Sequence, residues 1–151
     1  MQEIAAILNR LSIAVQFAVV MCLFGYFLLL GTMVKLREVR LWMMAWLADA
    51  VALAAVFIHA YADISPLGDR VMLVLYLVGK LTFALLIIAG TRNHLRPGIA
   101  PTVSLPVLLA FVTVWSVVLG FAVPSLWQAQ LADSALVALI FLAGGFVVLR
   151  N

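Results

Sequence analysis

The sequence predicts an all-α, polytopic membrane bundle of five transmembrane helices. Three observations carry that expectation. Hydrophobic residues make up 68% of the chain and charged residues only 10%, with a mean hydropathy of +1.26. A soluble domain carries about 45–50% apolar and about 25% charged residues. The apolar residues fall in continuous runs near the ~20 residues that a helix needs to cross a bilayer core. These runs do not alternate as the strands of a barrel would, and lipid leaves only helices and closed barrels as spanning structures.

The runs place spans at about 11–34, 41–61, 70–90, 102–123 and 131–149, within one domain of residues 1–151. The first follows ten residues that carry both Glu3 and Arg10, and it outruns the hydrophobic stretch of a cleavable signal peptide. It holds the single cysteine, Cys22, expected as a small buried hydrophobe. One cysteine excludes an internal disulfide and a multi-cysteine metal site. The segment Lys35–Arg40 reads as the loop to the second span. Ala62–Asp69, with Pro66 and Gly68, reads as the turn into the third. Thr91–Pro101, with Pro97, Gly98 and Pro101, leads to the fourth span, and Pro124–Gln130 leads to the fifth. Connections this short make successive helices antiparallel neighbours.

Basic residues set the expected orientation. Lys35, Arg37, Arg40, Arg92, Arg96 and Arg150 fall on one side. Arg10 and Arg70, beside Glu3, Asp63, Asp69 and Asp133, fall on the other. The amino terminus is therefore expected outside and the carboxyl terminus in the cytoplasm.

Inside the spans the charged residues are few and informative. Lys80 lies at the centre of the apolar run Val71–Gly90. A central lysine or aspartate costs about 2.5–3.5 kcal/mol on insertion scales, so a partner is expected. Asp49 is the one acid placed at depth within another span, Asp133 lying at the outer end of the fifth. Its depth matches that of Lys80, and the Pro66 turn makes their helices neighbours, so an Asp49–Lys80 ion pair follows. The pair is read either as a staple that sets helix register or as a ligand or proton site. Trp42, Trp46, Asp49 and Leu53 share one face of the second span; Tyr76, Lys80, Phe83 and Ile87 share one face of the third. Together they make an aromatic-lined sensing site at Asp49 and Lys80, or simple aromatic packing. A hydrophobic or anionic amphipathic ligand would fit such a pocket.

His59 and Asp63, one helical turn apart, are expected to pair at the outer face and to titrate there. His94 is placed on the opposite face against lipid phosphate, so one haem cannot use both histidines. Gln16, Thr82, Thr113 and Ser116 are candidates for interhelical hydrogen bonds, and Ser116 with Gly120 forms a small-xxx-small step. No phosphate loop, nucleophile elbow or zinc-binding helix is present. No metal, cofactor, catalytic residue or nucleic-acid partner is expected.

Two stretches carry a resemblance. "KLREVRLWMMAWLADAVAL", Lys35–Leu53, has a basic loop running into a helix with tryptophans four apart, Trp42 and Trp46, followed by Asp49. "YLVGKLTFALLIIAGTRNHLRP", Tyr76–Pro97, ends in a glycine and a basic loop. Both resemble the multi-span membrane region of bacterial GGDEF-type diguanylate cyclases. That resemblance implies a sensory and anchoring module in a bacterial inner membrane; the GGDEF sequence itself is absent, so this chain is not expected to be an enzyme. It implies a cytoplasmic output domain beyond residue 151 that makes cyclic di-GMP, and a homodimer formed through helices and that domain. The alternatives are a small transporter or channel subunit using the Asp49–Lys80 pair, and an assembly subunit without a ligand.

Overall fold

The structure, a computed structural model, describes residues 2–97, 104–123 and 126–149. Every element among them is a helix: α1 Gln2–Met33, α2 Arg37–Tyr61, α3 Pro66–Leu95, α4 Leu105–Ala122 and α5 Leu126–Leu149. Residues 102–103 of the expected fourth span, together with Gly98, Pro101, Pro124 and Arg150, lie outside the described residues. Helices α1 to α4 each contain a stretch long and apolar enough to cross a membrane, the character of a membrane protein. In α5 the apolar stretch is shorter, Leu131–Phe146, or about 24 Å of helical rise.

The helices outrun the apolar windows from which spans are read. The expected loop Lys35–Arg40 is largely helical, because α2 starts at Arg37, and α3 continues through Thr91 to Leu95. Pro66 and Gly68 do not form a turn between helices. Ser65 is the N-cap of α3, its hydroxyl accepting from the Gly68 amide at 3.2 Å, and Pro66 occupies the first turn. A proline there loses no helical hydrogen bond and already has a helical φ. Asp69 in the first turn and Arg92 and His94 in the last complement the helix dipole. At 30 residues, α3 is about 45 Å long, so its charged ends extend past a ~30 Å hydrocarbon core.

Helix α3 is the hub. It packs against α2, α4 and α5, whereas α1 touches only α2 among the described residues. Helix α5 lies more against α3 than against its sequence neighbour α4. Just 6% of the most apolar window of α1 is buried inside the protein, and Val19, Leu29 and Met33 are exposed. Cys22 is exposed as well, against the expectation of a buried residue, because α1 has one helical neighbour and Cys22 lies on the side away from it.

The seam between α2 and α3 is built from small residues. A Cβ placed on Gly79 would lie 2.7 Å from the Ala48 carbonyl oxygen and 2.7 Å from Ala52 Cβ. Ala45, Ala52 and Ala55 are buried on the same helix. Small side chains let two backbones approach closely where lipid supplies no hydrophobic drive between helices. Gly120 of α4 performs the same role against Val74 of α3, which places the Ser116–Gly120 step within the bundle. Gly144 of α5 seats Ile88 of α3.

The expected interhelical hydrogen bonds are differently distributed. Gln16 donates to the Ser12 hydroxyl at 3.2 Å and Thr113 to the Leu109 carbonyl at 2.9 Å, each within its own helix. The preceding turn offers these side chains a nearby acceptor. Ser116 is fully buried and its hydroxyl has no hydrogen-bond partner. Between α3 and α4 the hydrogen bonds come from Arg70 instead. Its guanidinium donates to the carbonyls of Gly120 at 3.1 Å and Val123 at 2.8 Å, closing the end of α4. Arg70→Met is expected to cost about 1–3 kcal/mol by orphaning these acceptors. It should also speed amide exchange in the last turn of α4, and unchanged exchange there would show that Arg70 does not hold that end.

Candidate functional site

The close approach at Gly79 sets the geometry of the site. Ala48 and Asp49 are adjacent on α2, and Gly79 and Lys80 are adjacent on α3, so backbone contact between Ala48 and Gly79 brings the next two side chains together. Lys80 Nζ donates to Asp49 Oδ1 at 2.6 Å. Asp49 is 5% exposed, and Lys80 lies at the middle of α3, about 20 Å of helical rise from either end. The ion pair expected from matched depth and adjacent helices is present.

The aromatic residues divide into two groups. Trp46 meets Phe83 with ring centroids 5.1 Å apart and lies 6.3 Å from Phe27 of α1. This joins the expected faces of α2 and α3 on one side of the ion pair. The Trp46 indole nitrogen is buried without a hydrogen-bond partner. Trp42 sits further along, toward the α1–α2 connection, 5.8 Å from the His94 ring. A Cβ on Gly90 would meet its indole at 2.6 Å, so Gly90 makes room for Trp42. His94 contacts protein there: its Nδ1 is also 3.7 Å from Glu38 Oε1. Leu53, expected beside Asp49, packs instead with Val20 and Ala50 toward α1.

Tyr76 points the other way. It packs against Leu73, Leu77 and Leu119 in the cluster that includes Ala132 of α5. His59 does not pair with Asp63, which is exposed. Its Nδ1 lies 3.0 Å from Asp69 Oδ1 across the α2–α3 turn. Because α3 starts at Pro66, Asp69 already sits on a helical face opposite His59, whereas Asp63 lies past the end of α2. A small cavity of about 50 Å³ runs beneath this pair, between His59, Asp69, Met72, Leu73 and Tyr76.

The residue that sequence reading misplaced is Asp133. It was grouped with the polar residues of one membrane face, yet it is 2% exposed and its Oδ1 has no hydrogen-bond partner. Its neighbour Ala132 packs in the same cluster as Tyr76, and α5 lies against α3. Three helices thus bring ionisable groups to this part of the bundle: α2 with Asp49, α3 with Lys80 and Tyr76, and α5 with Asp133. A signal was available in α5. Asp133 and Gly144 are three helical turns apart on one face, and Gly144 is the residue that seats Ile88 of α3.

Among the described residues no group of three or more histidine, cysteine, aspartate or glutamate side chains could hold a metal ion. No protein-family model matches the chain, and neither the curated proteins nor the solved structures provide a match.

Proposed function

We propose that this chain is the membrane input and anchoring module of a bacterial signalling protein in the inner membrane, joined to a cytoplasmic diguanylate cyclase domain that follows α5. In this reading all five helices cross the bilayer, with the amino terminus outside and the carboxyl terminus in the cytoplasm. Dimerisation runs through helices and the output domain. The observation that supports it is the polar cluster itself. Asp49 and Lys80 pair across the α2–α3 hairpin, and α5, which packs against α3 and buries Asp133, is the element through which a change of packing would reach a following domain. An intramembrane ionisable residue is a functional-site hypothesis by default, and a ligand shifts packing only by binding two arrangements unequally. A hydrophobic or anionic amphipathic molecule entering beside Trp46, Phe83 and Lys80 would do so.

The test is a fusion. Placed upstream of a GGDEF cyclase domain, the wild-type module and Asp133→Asn are expected to set different cyclic di-GMP levels at equal membrane abundance. Equal levels in wild type, Asp133→Asn and Lys80→Met would sink the reading. The buried acids favour one second reading, a small transporter or channel subunit that passes protons by way of Asp49 and Lys80. Proton flux into liposomes that disappears in Asp49→Asn would select it.

A further inference from the structure

We infer that Asp133 is a proton-binding site, loaded through the cavity beneath the His59–Asp69 pair. The inference deepens the proposed function by naming a ligand, the proton. It rests on that reading only in treating the cluster as more than a packing staple.

Charge counting carries the first half. The cluster contains two carboxyl groups, Asp49 and Asp133, and one ammonium, Lys80. The ammonium is taken by Asp49 at 2.6 Å. Asp133 is left 2% exposed with Oδ1 unpartnered. An ionised carboxylate buried without hydrogen bonds or a direct counter-charge is far more costly than a neutral acid in the same place. The groups facing Asp133 are few. Helix α3 presents Tyr76, Lys80 and, toward the end of α4, Arg70; α2 reaches the cluster with Asp49, and α4 contains no titratable residue. Arg70 is engaged with the Gly120 and Val123 carbonyls and Lys80 with Asp49, so a proton on Asp133 is what neutralises the cluster. Binding it forms one O–H bond on the Asp133 carboxyl, and release returns that proton to water. Lys80 moving from Asp49 toward Asp133 would exchange which acid needs the proton.

The route carries the second half. His59 and Asp69 are 43% and 39% exposed at the mouth. The cavity behind them, about 50 Å³, is larger than the ~10–15 Å³ that one water requires. Tyr76 also lines it, and it packs in the same cluster as Ala132, the residue next to Asp133. In this route the proton enters from the end of the bundle that carries the α2–α3 turn.

Infrared difference spectroscopy of the full chain, reconstituted in phosphatidylcholine vesicles, tests both halves. At a pH where exposed carboxylates are ionised, the wild type should show the carbonyl stretch of a protonated, buried carboxylic acid that shifts in D2O. Asp133→Asn should lose the band, Asp49→Asn, which frees Lys80 for Asp133, should weaken it, and Asp133→Glu should move it. Helix content by circular dichroism shows that each variant is folded, and the glutamate variant serves if the asparagine one is not. No acid band, or a band that survives Asp133→Asn, overturns the site. His59→Ala with Asp69→Asn should slow deuterium exchange of the band, and an unchanged rate overturns the route. The readout is binding alone, so failure of the cyclase fusion would leave this result standing.

Discussion

Lys80→Ala is expected to destabilise the bundle by about 3–5 kcal/mol, the range for removing one partner of a buried ion pair. The loss should be read as a lower denaturant midpoint for helix unfolding in mixed micelles. The cause is the group left behind. Asp49 is 5% exposed and accepts from Lys80 at 2.6 Å, so alanine at 80 leaves a buried carboxylate without its donor. Chains unfolded within a micelle also find polar partners, which pulls the value toward the low end. Lys80→Met combined with Asp49→Leu should recover most of the loss, since apolar residues of similar volume replace a buried pair with little cost. Asp133 predicts what remains. It stays buried with Oδ1 unpartnered in the double variant, so adding Asp133→Leu should recover stability further. A double variant that folds worse than either single would show that the pair is not what orders α2 against α3.

Gly79→Leu should have an effect of similar size by a different mechanism. Even a methyl at this position would sit 2.7 Å from the Ala48 carbonyl oxygen and 2.7 Å from Ala52 Cβ. The backbone oxygen cannot rotate away, so α2 and α3 must separate. Overpacking costs about 1–3 kcal/mol, occasionally more, and here the separation also lengthens the adjacent Lys80–Asp49 hydrogen bond. The variant should therefore lose both stability and the integrity of the polar cluster. Gly25→Ala is the matched control. Nothing lies within 4 Å of a Cβ there, so its effect should be neutral or stabilising by up to about 1 kcal/mol, from helix propensity. If the two glycines respond alike, close packing at Gly79 does not position the site.

The ion pair was legible because it depends on quantities that a sequence encodes. Depth follows from position within an apolar run, and adjacency follows from a short connection. Asp49 and Lys80 needed nothing else to be matched. His59 shows where this reasoning fails. Its partner was sought one turn away on its own helix, but the chain reverses at Ser65–Pro66 and brings Asp69 to it. Local spacing described only one of the two helices that meet there. Tyr76 was grouped with Phe83 and Lys80 by helical periodicity, yet it packs toward α4 and α5, because a helix touched from several directions has no single interior face.

Composition, run length and charge placement by themselves determined that the chain is helical, apolar enough for a membrane, and obliged to pair Lys80 with Asp49. The physical reason is that lipid tolerates neither an unsatisfied backbone nor an isolated charge. Only the tertiary structure decided that α5 leans on α3 and that Asp133 is buried. Those outcomes depend on how small residues such as Gly79, Gly120 and Gly144 let particular helices come close, and contact between distant parts of a chain is a property of three-dimensional packing with no counterpart in linear spacing.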